Sequence, residues 1–176
     1  MSINEELHEH AEHASDSFSR RTAAGMAIIA ACLAVVAVSG HIETTEELLA
    51  QQKASDQWAF YQAKSLRRYQ SDVARDILAQ MPGEKAAQAV EKYAANMGKY
   101  IKDGEEIKKT AEELEAESAL SGHRALRFHF GEVFLELAIV FCSLAILSKR
   151  SLFFYVAIAG AAGGILVAAA GLLVTH

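Results

Sequence analysis

Three long apolar stretches constrain this chain more than any other feature. They cover residues 23–40, 130–147 and 152–174, and each approaches the ~20 residues that a helix needs to cross a bilayer. Nearly every charged residue lies outside them, in residues 1–21 or 41–129. Soluble globular proteins mix the two residue types along the chain. The segregation therefore predicts an all-α membrane protein with three transmembrane helices.

The charged region between the first two stretches, residues 41–129, predicts an extramembrane helical hairpin. Thr44 and Glu47 have the spacing of a capping box, which predicts a helix start. Pro82–Gly83 is the strong helix-breaking pair of the region, and a second helix is predicted from there to about Ser121. Two helices of similar length with a turn at 82–83 predict an antiparallel, coiled-coil-like arm. Residues 1–22, before the first apolar stretch, form an acidic segment that carries histidines.

The second hairpin helix carries two rows of seam residues at seven-residue spacing, which is typical of a coiled coil. One row is Ala86, Tyr93, Tyr100, Ile107 and Leu114, and the other is Val90, Met97, Gly104, Ala111 and Ser118. The first helix offers a weaker seam of Leu66, Tyr69 and Val73 with Gln52, Ala59 and Gln62. So weak a seam would bury the neighbouring tyrosines poorly, and we therefore expect further copies to complete the packing in a homo-oligomer.

Small residues recur at four-residue spacing in two of the apolar stretches. Ala27 and Ala31 lie in the first stretch, and Gly160, Gly164 and Ala168 lie in the third. Small residues in this register let helix backbones approach closely in lipid. The pattern predicts helix packing at these positions, although glycine and alanine are also simply common in membrane helices.

Basic residues beside the stretches predict an orientation. Arg20–Arg21 precede the first stretch and Lys149–Arg150 separate the second from the third. The positive-inside rule places both pairs in the cytoplasm, so we expect a cytoplasmic N-terminus, with the arm and the C-terminus outside. Arg124 and Arg127 on the outer side oppose this assignment. A cleaved signal peptide is the alternative for the first stretch, but the preceding segment is too long and too acidic.

The most distinctive local string is DQWAFYQAKS at residues 56–65, which holds the only tryptophan. Two interpretations remain open for its side chains and the arginine that follows. They form either contacts between helices or a surface that binds an aromatic or anionic partner by stacking and cation–π interaction. The residues concerned are Trp58, Tyr61, Gln62, Lys64 and Arg68.

This string, the acidic N-terminus with its histidines, and the order span–hairpin–span–span together resemble a bacterial membrane-protein family, domain of unknown function 4337. The resemblance covers essentially the whole chain, but only residues 56–65 are specific. It implies an integral protein of a bacterial inner membrane, and it supplies no activity and no catalytic residues.

Glu132 and Glu136 lie four residues apart at the start of the second stretch, with His129 just before them. Carboxylates near a bilayer core usually face a bundle interior or a water-filled path, and in an oligomer they would form acidic rings that attract cations. Two other interpretations remain open. Glu132 lies among lipid headgroups, or Glu136 pairs with Arg127 or His129.

Other chemistry finds no support in the sequence. His8, His10 and His13 lack the spacing and further ligands of a metal site, and Cys32 and Cys142 predict no disulfide because each falls within a span. There is no phosphate-binding loop or nucleophile motif, and the net charge of −5 disfavours nucleic acid. We therefore expect no enzyme, metal or cofactor.

Membrane lipid and further copies of the chain are the expected partners. Two functions remain open, a scaffold or partner-binding module and a conductance for cations or protons.

Overall fold

A computed structural model of the chain describes residues 3–174, with side chains from residue 17 onward. Three helices account for this range: α1 (Ile3–Leu78), α2 (Glu84–Ser148) and α3 (Ser151–Leu172). The prediction of an all-α fold is confirmed. All three helices are long and apolar enough to cross a membrane. The chain divides into two compact units, an apolar unit up to Thr45 and from Leu120 onward, and a hairpin unit of Glu46–Ala119.

Helix α1 continues through Thr44, so the predicted helix start at that residue is wrong. The Thr44 hydroxyl donates to the Gly40 carbonyl at 3.0 Å, and the Ser39 and Thr45 hydroxyls make the same contact one turn back. These hydroxyls bond within the helix and cap nothing, because no residue here interrupts the helical backbone. For the same reason α2 passes the expected end near Ser121 and continues to Ser148.

The turn between α1 and α2 lies where the sequence places it. The amides of Gln80 and Met81 donate to Ile77 and Leu78, which tightens the last turn of α1. Gly83 follows Pro82 with φ of +120°, a conformation that a residue with a Cβ rarely adopts. Replacing this glycine would strain the only connection between the two helices of the hairpin unit.

In the hairpin unit, both predicted seam rows of α2 are buried or half-buried along their whole length. Several of them contact α1 directly. Gly104 lies against the Tyr61 ring, and the Ser118 hydroxyl donates to the Glu47 carbonyl at 3.1 Å. The α1 residues that face α2 include Ala50 and Ala54, which are almost fully buried.

The predicted seam of the first hairpin helix does not face α2. Leu66, Tyr69 and Val73 are 58–60% exposed, and the seam positions Gln52, Ala59 and Gln62 are exposed with them. The reason is that α1 has two usable faces, and α2 packs on the one that combines Ala50 and Ala54 with longer side chains that reach across to α2. The larger apolar side chains are left on the outside.

The apolar unit has a core of small and medium side chains. Leu135 and Cys142 of α2 are fully buried, as is Ala157 of α3. The small-residue stripe of α3 lies against α2, with Gly164 packed on the Gly131 backbone and Gly160 near Ala138. Ala168 of the same stripe is also buried.

The small residues of the first stretch behave differently. Ala27 and Ala31 are exposed, so the prediction that they pack closely against another helix is wrong within the protomer. Helix α1 instead turns Ile29 and Val36 into the core, and Gly25 and Gly40 lie against Phe154 and Phe128. The larger side chains of Ile29 and Val36 fill the space beside α2 and α3. Ala27 and Ala31 therefore lie on the exposed face of α1.

The contact between Gly164 and Gly131 predicts a specific cost of substitution. A Cβ at Gly164 would lie 2.8 Å from the Gly131 carbonyl oxygen and 2.9 Å from the Phe134 Cβ. Gly164→Ala should therefore lower the free energy of unfolding of the detergent-solubilised protein by ~1–3 kcal/mol through overpacking. Gly163→Ala is the control, since its Cβ would meet nothing within 4 Å. Equal stability of the two variants in a denaturant titration would contradict the close packing of α2 on α3.

Candidate functional site

Trp58 joins the two helices of the hairpin unit. Its indole Nε1 donates to Glu115 Oε1 at 2.7 Å, and its ring meets Tyr61 edge-on with centroids 5.7 Å apart. Beside it lies an open groove of about 450 Å³. The indole N–H thus connects α1 to α2, while the ring packs on its neighbour Tyr61 within α1.

Lys64 makes the shortest ion pair of the hairpin unit. Its ammonium lies 2.6 Å from Asp103 Oδ2 and 5.7 Å from the centre of the Tyr100 ring. The hydrogen bond from Lys64 lowers the pKa of the Asp103 carboxyl, and the charges of Lys64 and Lys99 add to this, against a partial desolvation that raises it. The pair connects α1 to α2 at one fixed register.

The remaining residues of the 56–68 region separate into two groups. Tyr61 packs against Gly104 of α2, whereas Gln62 is exposed. The Arg68 guanidinium lies over the Tyr69 ring, 4.9 Å from its centre, and lines a second cavity of the hairpin unit. The structure therefore places Trp58, Tyr61 and Lys64 in contacts between helices, and Arg68 at a cavity.

A row of polar side chains runs along α2 in the apolar unit. The His129 ring contacts one residue of this row and one of α1, with Nδ1 at 3.3 Å from Glu132 Oε2 and Nε2 at 3.2 Å from the Thr44 hydroxyl. Ser143, further along α2, contacts Met26 of α1. Both ends of the row therefore border α1.

Glu136 lies in this row, between Glu132 and Ser143. It is exposed, and His129 pairs with Glu132 rather than with it. Among the residues whose side chains are described, none forms a hydrogen bond or ion pair with Glu136. A pairing of Glu136 with Arg127 or His129 is thus not seen. The exposed carboxylate of Glu136 lies within the apolar stretch of residues 130–147.

A polar cluster that the sequence did not reveal joins all three helices of the apolar unit. The Arg124 guanidinium donates to the Val174 carbonyl at 3.1 and 3.2 Å, just past the end of α3, and lies 4.0 Å from Glu43 of α1. Glu43 Oε2 is buried and finds no hydrogen-bond partner in the described part of the chain. The only sequence signal was the presence of one acidic and one basic residue at the borders of apolar stretches.

The histidines and cysteines are the residues to consider as metal ligands. The side chains of His8, His10 and His13 lie outside the described residues. Within residues 17–174, no three histidine, cysteine or carboxylate side chains come together as metal ligands. Cys32 and Cys142 are both free thiols. The expectation of no metal site and no cofactor stays a prediction.

Comparison with known proteins identifies a family. The family model described as Domain of unknown function (DUF4337) matches residues 18–174, so the chain belongs to that family, as the 56–65 string predicts. No curated protein and no solved structure matches the chain.

Proposed function

We propose that this member of the DUF4337 family is an integral membrane protein that crosses a bacterial inner membrane three times and self-assembles through its hairpin unit. In this role it is a scaffold or partner-binding module and not an enzyme. The observation that carries the proposal is an uncharged, exposed face on α1 of the hairpin unit.

Membrane insertion is supported by the surface of the apolar unit. Its three helices contain windows of mean hydropathy 2.2–2.3, and many large apolar side chains point outward, such as Val35, Leu147 and Leu166. In water each exposed side chain of this kind forgoes roughly 1.5–3 kcal/mol of burial. In the hydrocarbon of a bilayer the same apolar side chains are in a favourable environment. The backbone N–H and C=O groups are hydrogen-bonded within the continuous helices.

The uncharged face of α1 follows the spacing of a coiled-coil seam, with alternating steps of mostly three and four residues. Each member is exposed, and the large apolar members are all more than half exposed. The face consists of Leu48, Gln52, Ser55, Ala59, Gln62, Leu66, Tyr69, Val73 and Ile77. An exposed helix face normally carries charges, so this face has the composition of one that is covered by another helix.

A second copy of the chain is the partner that fits this face. Because the face contains no charge, the same face of another copy can pack on it without like-charge repulsion, as a two-fold symmetric contact requires. The outer face of α2 would not allow this so readily, since it carries Lys85, Lys92 and Lys99 at seven-residue spacing. Burying Leu66, Tyr69 and Val73 against their counterparts would also complete the hydrophobic packing that α1 and α2 leave unfinished.

Charges placed in the face should separate the copies. The double variant Leu66→Lys/Val73→Lys puts like charges opposite each other and removes the burial of two apolar side chains per copy. We expect the dissociation constant of the oligomer in detergent or nanodiscs to rise by at least about 100-fold, equivalent to ~3 kcal/mol. Mass photometry across a dilution series would measure it.

Ile101→Lys provides the matched control for that measurement. Ile101 is the exposed large apolar side chain of α2 in the hairpin unit, at 41% exposure, and it lies outside the α1 face. This variant should assemble like the wild-type protein. A wild-type protein that is monomeric at micromolar concentration would contradict self-assembly, and an equal effect of both variants would contradict the α1 face as the contact.

A conductance for cations or protons is the second candidate, and the exposure of Glu136 favours it. A charged side chain that faces lipid at the centre of a membrane span costs roughly 2.5–3.5 kcal/mol, an upper value for Glu136 because it lies nearer the start of its apolar stretch. That cost is avoided if Glu136 faces a polar path between copies, with Glu132 and His129 along the same row. Acidic rings of this kind attract and select cations.

Replacing Glu136 with glutamine tests the conductance. The change keeps the shape of the side chain and removes one charge from every subunit, so cation flux through reconstituted vesicles should fall several-fold while assembly survives. Glu113→Gln, an exposed glutamate of the hairpin unit, should leave the flux unchanged. Absence of flux from the wild-type protein at every voltage and pH would remove this candidate and leave the scaffold.

A further inference from the structure

One cavity of the hairpin unit has the lining of an anion site. It has a volume of about 240 Å³ and lies between α1 and α2, with Arg68 and Lys108 among its lining residues. The hydroxyl-bearing side chains of Tyr61, Ser65 and Tyr100 also line it. We propose that this cavity binds a small oxyanion, a phosphate or a carboxylate, held by Arg68 and Lys108. The site borders the α1 face at Tyr69, whose ring lies beside the Arg68 guanidinium, but the proposal does not rest on self-assembly.

Arg68 differs from the other cations on the inner side of α1. Lys64 is paired with Asp103 at 2.6 Å and Arg75 with Asp72 at 2.7 Å. In the part of the chain with described side chains, no carboxylate lies within 4.0 Å of Arg68. Its guanidinium instead lies 4.9 Å from the centre of the Tyr69 ring, a cation–π contact that uses none of its N–H groups as hydrogen-bond donors. A planar, oriented guanidinium is the group best suited to bind two oxygens of one anion.

Lys108 supplies a second positive charge at the same cavity. Its ammonium lies 3.6 Å from Glu112 on its own helix, and both side chains are at least half exposed. Exposed pairs of this spacing are weak, so Lys108 can turn to a ligand at little cost. Glu105 is the acidic residue of the lining, so the charged lining residues Arg68, Lys108 and Glu105 together carry one net positive charge.

Gly104 keeps the cavity open. It is buried in the interior of α2, where glycine is the least favourable residue after proline. Packing does not require it, because a Cβ there would meet the Tyr61 ring at 3.7 Å, an ordinary contact distance. A methyl group at this position would instead occupy space between Tyr61 and the cavity. The available room suits an anion of phosphate or malonate size.

Calorimetric titration of the full-length, detergent-solubilised protein tests the site. The probes are inorganic phosphate and malonate, each at an ionic strength held constant with chloride. We expect saturable binding of at least one probe with one site per chain. Arg68→Gln and Lys108→Gln should each weaken it about tenfold or more, because each removes a charged hydrogen-bond donor. Tighter binding of one probe would identify the ligand as a phosphoryl or a carboxylate compound.

Three further variants make the result specific. Lys109→Gln removes a neighbouring, highly exposed lysine that pairs with Glu113, and it should bind like the wild-type protein. Glu105→Gln should bind more tightly, since it removes the one negative charge of the lining. Gly104→Ala should bind more weakly while its thermal stability is maintained. The proposal is overturned if neither probe binds saturably, or if Arg68→Gln and Lys109→Gln have the same affinity.

Discussion

Uninterrupted backbone hydrogen bonding along α1 and α2 is the constraint on which the rest of the structure depends. Helix α1 passes from the first apolar stretch into the charged hairpin and α2 from the charged hairpin into the second apolar stretch, each without a break, over 76 and 65 residues. In hydrocarbon this continuity is obligatory, because no solvent can satisfy a backbone group. All differentiation between the two units therefore falls on side chains. Small residues allow close packing in the apolar unit, and ion pairs and aromatic contacts set the register in the hairpin unit.

Much of the fold could be predicted from the sequence because its signals are local. Long apolar stretches, seven-residue periodicity in α2 and the pair Pro82–Gly83 each act through neighbouring residues, and the three helices follow from them. Thr44 wrongly indicated a helix start, because a threonine hydroxyl can form a hydrogen bond to the backbone inside a helix as well as at its start. A capping box has meaning only where the backbone stops, and here it does not.

The errors about packing faces have a different origin. Helix α1 carries two stripes in the hairpin unit, one that includes Ala50 and Ala54 together with Trp58 and Tyr61, and one of apolar residues around Leu66 and Val73. Periodicity identifies both without telling which one meets α2. Likewise, the partners of Trp58 and Lys64 are 57 and 39 residues away, so their contacts depend on the register of two helices. Composition alone left them open between internal contact and binding surface.

Three features of the described residues support the proposals about function. They are the uncharged face of α1, the exposed carboxylate of Glu136 and the cavity beside Arg68. We propose that another helix covers the first, that a polar path surrounds the second and that a small anion binds in the third. The three proposals depend on largely different side chains, with Tyr69 shared between the α1 face and the surroundings of Arg68. Together they propose a membrane-anchored assembly whose hairpin unit binds a ligand.

The central claim is that the apolar unit crosses a bilayer three times and leaves the hairpin unit on one side. Cysteines introduced singly at Met81 and Ser148, each compared with the parent chain for labelling of Cys32 and Cys142, test it most directly. With a membrane-impermeant thiol reagent on sealed cells and inverted vesicles, we expect labelling from opposite sides, with Met81 outside. Labelling of both positions from the same side would contradict the three-span account, and exchanged sides would contradict only the orientation.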